Sequence, residues 1–239
     1  MKTNSRKPKA ELPHPWPDAP EAAPRPSGVE AALIEHFHSL YYASYRRGQT
    51  WADTFWLGHR ALKCPLDMWL YQEIVFQSRP DLIIETGTAF GGSALFLATV
   101  CETLGRGRVL TIDVAPERGL PVHPRIDYLA GSSTSTAVLR RVEDLVRESA
   151  KVMVILDSDH HKEHVLRELE LYSRFVSDGA YLIVEDTNLN GHPVQPGHGP
   201  GPAEAVKDFL ARHPEFAPDR SKEKFLLSFN PGGYLKRAG

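Results

Sequence analysis

Five short apolar runs recur along the middle of the chain, and segments with helical spacing of apolar residues separate them. The runs cover residues 82–84, 109–112, 126–129, 152–156 and 181–184. Strands that are joined through helices pair in parallel, and near-continuous apolar runs are typical of strands buried on both faces. The pattern therefore predicts an α/β fold with a mostly parallel sheet, in which ligands bind at the carboxyl ends of the strands.

The sequence on either side of these runs predicts further elements. Ser27 and Glu30 have the spacing of a capping box, which predicts a helix that opens at Ser27. Near the other end, Phe225–Phe229 and Tyr234–Lys236 flank a turn sequence and predict an antiparallel hairpin. Residues 187–203 are rich in glycine and proline and predict an irregular segment that closes over a ligand as a lid. The remaining predicted helices cover residues 67–76, 93–104, 137–148, 162–175 and 203–212.

Composition narrows the class of protein. The 239 residues suffice for one catalytic domain, which we expect at residues 27–239 after a flexible, proline-rich arm at residues 1–26. With 28 basic against 30 acidic residues, the chain favours a small-molecule partner over nucleic acid or an anionic membrane. The absence of an apolar run of about 18 residues predicts a soluble, cytoplasmic protein, and two cysteines are too few for a disulfide framework.

A glycine-rich turn follows the first apolar run. From Glu85 to Ser93 it reads Glu-Thr-Gly-Thr-Ala-Phe-Gly-Gly-Ser, and glycines there let a ligand approach the backbone. The spacing differs from the G-x-G-x-x-G of dinucleotide sites, which disfavours NAD. Asp113 ends the second run, where its carboxylate can accept both hydroxyls of a ribose. These residues predict a nucleotide-like cofactor; the alternative is a tight turn with a capping acid and no ligand.

Four acidic residues follow two neighbouring runs. Asp157 and Asp159 come after the run at 152–156, and Glu185 and Asp186 come after the run at 181–184. Grouping carboxylates without a cation costs repulsion, whereas Mg²⁺ takes oxygen ligands and leaves positions open for substrate oxygens. We therefore predict a Mg²⁺ site at this sheet edge. The alternative is that these acids cap the helices that follow.

Histidines adjoin the first acidic pair. His160 is a candidate general base, because histidine side chains ordinarily titrate near neutral pH. His161 and His164 keep a second interpretation open, in which two histidines and a carboxylate hold non-haem Fe(II) for oxygen chemistry. Under that interpretation, loss of His161 and His164 should abolish activity. A histidine on a solvated helix face would need no function at all.

Four segments together resemble the cephalosporin hydroxylase family: Lys63–Trp69, Glu85–Ser93, Leu156–His160 and Val184–Asn188. The match runs from about Tyr41 to Lys236. The resemblance implies a Rossmann-like fold with a seven-stranded sheet that binds S-adenosylmethionine (SAM). It also implies Mg²⁺-assisted transfer of the methyl group to a hydroxyl of a natural product, sugar or related small molecule, and it suggests a homo-oligomer.

The resemblance also implies roles for single residues. Catechol O-methyltransferase, to which the similarity is more distant, has a pattern that implies metal ligands at Asp157, Glu185 and Asp186, while the spacing of the closer family could favour Asp159. His160 falls where the catechol enzyme has a basic lysine, so His160 and Asp157 are the implied catalytic residues. A non-catalytic SAM-binding protein is a further alternative, but it would have little reason to keep clustered carboxylates. The implied cofactor-binding residues are Lys63, Glu85, Gly87, Thr88, Ala89, Gly91, Ser93, Asp113, Ser133 and Asp157.

Overall fold

The computed structural model describes residues 26–239, so the arm predicted at residues 1–26 lies outside the described residues apart from Pro26. The first described part is a helical extension that leads into a two-stranded antiparallel sheet, β1 (Phe55–Trp56) and β2 (His59–Arg60). Within residues 26–239, every helix is too short or too polar to span a membrane. The helices are α1 (Val29–Ala43), α2 (Pro65–Ser78), α3 (Gly92–Leu104), α4 (Thr136–Arg147), α5 (Lys162–Tyr172) and α6 (Pro202–Leu210).

A seven-stranded sheet forms the centre of the domain. Its strands are β3 (Leu82–Thr86), β4 (Arg108–Asp113), β5 (Ile126–Ala130), β6 (Val152–Leu156), β7 (Tyr181–Val184), β8 (Phe216–Pro218) and β9 (Tyr234–Arg237). Their order across the sheet is β5-β4-β3-β6-β7-β9-β8. The first five strands are parallel, and β9 pairs antiparallel with β7 and β8. The predicted α/β fold, with a mostly parallel seven-stranded sheet and an antiparallel end, is confirmed.

The order of the strands reverses beside β3. From β3 the chain moves outward through β4 and β5, and it then returns to place β6 on the other side of β3. Thr86 at the end of β3 is in register with Leu156 at the end of β6, so both strands end at the same level. The crevice outside such a reversal point is where ligands bind in open parallel sheets.

The capping box predicted for the first helix is wrong. Gly28, with a φ of 56°, is the N-cap of α1, and the structure gives this helix no side-chain cap. Because the helix begins one residue later than predicted, Glu30 lies in its second helical position and cannot bond back to Ser27 as a capping box requires. The negative charge of Glu30 still favours the helix N-terminus.

The predicted hairpin is correct in its second strand and wrong in its first. Strand β9 at Tyr234–Arg237 pairs with β8 at Phe216–Pro218, and residues 225–229 form no strand. The side chain of Asp67 holds that segment instead, because it accepts hydrogen bonds from Ser228 Oγ at 2.7 Å and from the Phe229 backbone N–H at 2.8 Å. The buried Asp67 side chain therefore satisfies polar groups of this segment, such as the Phe229 N–H, that would bond to a neighbouring strand if the segment were itself a strand.

A second apolar cluster lies outside the main core and joins α1 to the segment after β7. Tyr42 of α1 packs in this cluster with Leu189, Val194 and Phe229. Residues 187–201 form turns without a helix or strand, as the sequence predicts, and Asn188 N–H donates to the carbonyl of Phe229 at 3.1 Å. Helix α1 is thereby attached directly to the candidate lid.

Candidate active site

The turn after β3 is shaped by close contacts within the chain. A Cβ on Gly87, which has a φ of +92°, would lie 1.9 Å from the carbonyl oxygen of Asp157, so only glycine lets β3 and β6 end side by side. Gly91 is the N-cap of α3 with a φ of 73°, and a Cβ there would lie 2.8 Å from Pro121 Cδ. The glycines that the sequence analysis assigned to ligand approach therefore also serve the packing of the chain against itself.

Asp113, at the end of β4, binds this turn through its carboxylate. Its Oδ2 accepts the backbone N–H groups of Thr88 and Ala89, both at 3.0 Å. Its Oδ1 accepts the N–H of Ala115 at 2.9 Å. The carboxylate is partly exposed, and each carboxylate oxygen can accept more than one hydrogen bond. Asp113 can therefore hold the turn and still accept the hydroxyl groups of a ligand.

Glu85 is the deepest acid of the site, and it is fully buried. Its Oε2 accepts the hydroxyl of Thr111 at 2.7 Å, whereas its Oε1 has no hydrogen-bond partner within residues 26–239. Burial raises the pKa of Glu85, and the positive charge of Lys63 opposes this shift. An unpaired buried acceptor is costly, so this oxygen is chemically suited to a donor group that a ligand supplies.

Ser133, on the turn after β5, belongs to a polar cluster at the same sheet edge. Its Oγ lies 3.4 Å from Nε2 of His164, and its carbonyl accepts the hydroxyl of Tyr172 at 2.7 Å. His164 also lies 3.1 Å from Ser158 Oγ, which in turn donates to the buried Glu168 at 2.8 Å. These contacts fix the Ser133 turn between β5 and the chain after β6.

Lys63 brings two of the predicted metal-binding acids together. Its Nζ contacts Oδ2 of Asp157 and lies 2.5 Å from Oε1 of Glu185. Lys63 is 4% exposed and Glu185 is 6% exposed, so this ion pair is almost withdrawn from water. Burial alone lowers the pKa of Lys63, but the charges of Asp157 and Glu185 outweigh burial and raise it above its ordinary value. Lys63, which the resemblance implies as a cofactor-binding residue, therefore pairs with two acids of the predicted metal site.

A second set of donor atoms also includes Asp157. One oxygen or nitrogen from each of Asp157, His160 and Asp186 falls within 4.8 Å of the others, a spacing that can hold a metal ion. His160 Nε2 is 3.4 Å from Oδ2 of Asp186. The backbone of Asp186 has a φ of 54°, and its N–H donates to Asn230 Oδ1 at 3.1 Å. Left-handed backbone at a non-glycine residue is a form of strain that clusters at functional sites.

Asp159 lies apart from this group. Its Oδ1 accepts the backbone N–H of His161 at 2.8 Å and lies 2.6 Å from the His161 ring Nδ1. Its side chain is 48% exposed. Because His161 is the N-cap of α5, Asp159 sits where an acid stabilises a helix start. The sequence does not decide between Asp157 and Asp159 as a metal ligand. In the structure, Asp157 is the one that lies beside Glu185 and Asp186.

Burial acts on the acids that follow β7. It raises the pKa of Glu185 well above its ordinary value, and the negative charge of Asp157 adds to the shift. Burial also raises the pKa of Asp186, against the opposing charge of His160. Both shifts mean that the ionised carboxylates are costly here, and a divalent cation would offset that cost.

The histidines of the iron interpretation do not converge. The His161 side chain is 70% exposed and packs near His198, with ring centroids 5.5 Å apart. His164 belongs to the Ser133 cluster described above, and the electrostatic effect of its hydrogen bond with Glu168 raises its pKa. Within the described residues, the metal-capable group contains one histidine rather than two.

Two supporting residues were missed by the sequence analysis. Asn230 is fully buried and accepts the N–H of Asp186, while its side-chain amide donates to Tyr71 Oη at 2.9 Å. Asp67 is 2% exposed and accepts the hydroxyl of Tyr234 at 2.7 Å. Both side chains lie far along the chain from the residues they support, so no local spacing could indicate their roles.

Comparison with known proteins places the chain beside methyltransferases. The family model described as "Rhamnosyl O-methyltransferase/CmcI" matches residues 48–238. The rhamnosyl O-methyltransferase of Mycobacterium leprae (strain TN) is 39% identical over 212 residues, which cover 86% of this chain and 91% of that protein. That of Mycobacterium tuberculosis (strain ATCC 25618 / H37Rv) is 39% identical over 213 residues, which cover 86% of this chain and 85% of its own length.

Solved structures of CmcI share the fold. An apo structure of CmcI has a TM-score of 0.61 and 21% identity, and the match covers 78% of this chain and 76% of that one. A CmcI structure described with Mg and SAM has a TM-score of 0.61 and 20% identity, over 78% of this chain and 77% of that one. At these identities the likeness concerns the fold alone.

Proposed function

This chain belongs to the rhamnosyl O-methyltransferase/CmcI family, and we propose that it transfers the methyl group of SAM to a hydroxyl of a small molecule with the help of a divalent cation. One observation carries the proposal. The ends of β3, β4, β6 and β7 bring the Glu85–Ser93 turn, Asp113 and the acids around Asp157 to one edge of the sheet. A methyl donor and a metal-held acceptor would then meet at the point where the strand order reverses.

The residues after β3 and β4 fit the parts of SAM. The cofactor supplies a sulfonium whose methyl carbon is ready for in-line transfer. Glu85 has a buried oxygen without a partner, which suits the ammonium of an amino-acid end. Asp113 is partly exposed beside the Thr88 and Ala89 N–H groups, which suits ribose hydroxyls. Gly87, Gly91, Ser93 and Ser133 would line the same cleft.

The acids fit a hard divalent cation, because they offer carboxylate oxygens at a partly buried edge. Such a cation supplies charge that makes an acceptor hydroxyl easier to deprotonate. Asp157 and Asp186 belong to either ligand set, and the third ligand is Glu185 or His160. Glu185 could ligate the cation only if its carboxylate bound Lys63 and the cation together, or if its ion pair with Lys63 were broken.

His160 would take the proton of the acceptor hydroxyl at Nε2. Asp186 Oδ2 lies 3.4 Å from that nitrogen, and its negative charge would stabilise the imidazolium that forms. Residues 187–201 would cover the acceptor and exclude water, since they follow directly on Asp186 and are held by α1. The names of the curated relatives favour a sugar hydroxyl, such as that of a rhamnosyl group on a larger natural product, as the acceptor.

The two other interpretations of the sequence are weaker. An Fe(II) oxygenase would need a second histidine at the metal-capable group, and His161 and His164 lie in other contacts. A non-catalytic SAM-binding protein would need only the turn after β3. The buried ion pair of Lys63 with two acids, next to a third acid and a histidine, costs desolvation that a binding protein would have no reason to retain.

Calorimetric titration of the metal-stripped protein tests the proposal. SAM should bind with micromolar affinity, and Mg²⁺ should bind afterwards. Asp113→Ala should abolish SAM binding, whereas Asp127→Ala, an exposed acid on the neighbouring strand, should leave it unchanged. If Glu185 is the third ligand, Glu185→Gln should weaken Mg²⁺ binding and spare SAM binding. If the wild-type chain binds no SAM with or without Mg²⁺, the proposal fails.

A substitution separates the two roles open to His160. If His160 is the base, His160→Asn should leave Mg²⁺ affinity unchanged and lower the rate of methyl transfer to a rhamnoside by a factor on the order of 10² or more. If His160 is a ligand, the same change should weaken Mg²⁺ binding in calorimetry without any acceptor present.

A further inference from the structure

Arg60 carries a positive charge that no acid of the described residues neutralises. Its side chain is half-buried, and its Nε is withdrawn from solvent without a hydrogen-bond partner among residues 26–239. The contact that its guanidinium makes there is with an aromatic ring, since Cζ lies 5.4 Å from the ring centroid of Phe90. A buried donor without a partner costs free energy, so this nitrogen is chemically suited to an acceptor that a ligand supplies.

The ring that Arg60 covers belongs to the turn proposed to bind the cofactor. Phe90 lies in the Glu85–Ser93 turn, directly before Gly91, which is the N-cap of α3. The backbone of Arg60 lies close to the same turn, because a Cβ on Gly92 would be 2.2 Å from the Arg60 carbonyl oxygen. Both the backbone and the guanidinium of Arg60 therefore adjoin the turn after β3.

The small sheet of β1 and β2 holds Arg60 in this place. Arg60 is the last residue of β2 and pairs with Phe55 of β1. The ring of Trp56 packs edge-on against Phe96 of α3, with centroids 4.8 Å apart, and its Nε1 donates to Thr99 Oγ1 at 3.1 Å. Because the hairpin is packed on α3 in this way, the backbone of Arg60 has little freedom left to lose when a ligand binds.

The other charges at this edge of the sheet leave a carboxylate without a counter-charge. Glu85 is acidic and has a buried Oε1 without a partner, which suits the ammonium of SAM. Lys63 is basic, but its ammonium already contacts Asp157 and Glu185. An anion that enters beside these acids is repelled unless a further cation meets it. Arg60 is a cation in the right place, and its charge is not yet paired.

SAM carries such an anion. Its carboxylate and its ammonium are bonded to the same carbon atom, so a site that binds the ammonium must also accommodate the carboxylate a short distance away. Glu85 and Phe90 belong to one turn, which makes the guanidinium over Phe90 a neighbour of the site for the ammonium. A guanidinium matches the two oxygens of a carboxylate with two parallel N–H groups, whereas the hydroxyl of a sugar acceptor brings no charge to pair with it.

We propose that Arg60 binds the carboxylate of SAM and thereby selects a cofactor that keeps its whole amino-acid end. The inference rests on the proposed function, to which it adds a specificity-determining residue. Nε and one Nη of Arg60 would donate to the two carboxylate oxygens, and the ring of Phe90 would hold the plane of the guanidinium. The buried Nε would then gain the acceptor that the described chain does not provide.

Calorimetric titration with SAM and with decarboxylated SAM, which keeps the amine and lacks the carboxylate, tests the proposal. The wild-type chain should bind SAM at least about tenfold more tightly than decarboxylated SAM, because hydrogen bonds between charged groups are the strong ones. Arg60→Met keeps an apolar stem over Phe90, and this preference should be lost or reversed in it. Arg60→Lys keeps the charge without the paired N–H groups and should retain part of the preference.

Arg118→Met is the matched control. Arg118 is exposed on the loop whose Glu117 N–H donates to the Ala89 carbonyl at 3.2 Å, so the variant removes the same charge beside the same turn. It should keep the preference for SAM. Thermal unfolding without ligand gives a second readout. Because Arg60 loses no hydrogen bond of the described chain, Arg60→Met should unfold within about 3 °C of the wild type.

Failure of this proposal can be told from failure of the proposed function. If the wild-type chain binds neither ligand, with or without Mg²⁺, both fail. If the wild type binds the two ligands equally, or if Arg60→Met keeps the wild-type preference, SAM binding stands and the role of Arg60 is overturned. An equal loss of preference in Arg118→Met overturns it in favour of a general effect of charge. Loss of affinity for both ligands in Arg60→Met, together with a clearly lower unfolding temperature, overturns it in favour of a structural role.

Discussion

The Nζ of Lys63 lies 2.5 Å from Oε1 of Glu185, although the two residues are 122 positions apart in the sequence. The same ammonium contacts Asp157, so one buried cation neutralises acids from the ends of two adjacent strands. An ion pair this deeply buried adds little stability compared with an apolar pair, but removing one partner leaves the other charge buried without a counter-charge. The pair therefore makes the stability of the metal-free protein depend on Lys63.

Lys63→Met should lower the free energy of unfolding of the metal-free protein by about 3 kcal/mol, because Asp157 and Glu185 would lose their counter-charge. Urea denaturation in the presence of a chelator measures this loss. Lys222→Met is the control, since Lys222 is 7% exposed but donates to the amide oxygen of Gln77. Mg²⁺ should restore more stability to Lys63→Met than to the wild type. Equal losses in the two lysine variants would contradict the role given to this ion pair.

The raised pKa of Glu185 predicts a pH dependence of stability. The folded chain releases the Glu185 proton at a higher pH than the unfolded chain, in which Glu185 has its ordinary pKa of 4.5, so the ion pair with Lys63 forms in full only above the raised pKa of Glu185. Stability from this group is therefore complete below about pH 4.5 and is lost as the pH rises towards the folded pKa, with a limiting slope of about 1.4 kcal/mol per pH unit. Without metal, the unfolding free energy of the wild type minus that of Glu185→Gln should fall over this range. A difference that grows with pH would refute the shift.

His38 predicts the opposite dependence in a different window. Burial lowers its pKa to about 4, so the folded chain holds a neutral imidazole that the unfolded chain protonates below its ordinary pKa of 6.5. Its contribution is complete above pH 6.5 and is lost as the pH falls towards 4, by about 3 kcal/mol at the limit. His38→Phe should remove that acid sensitivity in denaturation at several pH values. His36→Phe, on the exposed side of the same helix, controls for the added phenylalanine.

The strands were predictable because a parallel sheet buries both of its faces. All five residues of β3 and all five of β6 are buried; β6 is apolar throughout, and β3 is apolar over residues 82–84. Strand β8 gave no such signal. It is a three-residue edge strand that ends in Pro218, and proline is tolerated there because an edge leaves one side of the strand unpaired.

The meeting of the acids was predictable for a related reason. Asp157 and Glu185 follow adjacent parallel strands, and parallel strands end at the same edge. The lysine that neutralises these acids could not be predicted, because Lys63 precedes α2 and reaches the site only through the packing of the whole domain. Only the resemblance carried by Lys63–Trp69 pointed to Lys63 as a functional residue. Its contact with the acids became visible only in the structure.

Gly87 provides the strictest test of how the site is built. A Cβ at this position would lie 1.9 Å from the backbone oxygen of Asp157, and its φ of +92° is unfavourable for any other residue. Gly119→Ala isolates the second effect, because Gly119 has a φ of +77° and open space around it.

Gly119→Ala should therefore cost about 1 kcal/mol and leave SAM binding intact. Gly87→Ala should cost several times more and abolish SAM binding, because the ends of β3 and β6 must separate to admit the methyl group. Thermal unfolding and calorimetric titration with SAM measure both effects. If the two variants lose similar stability and Gly87→Ala still binds SAM, then the contact between Gly87 and Asp157 does not set the spacing of the site.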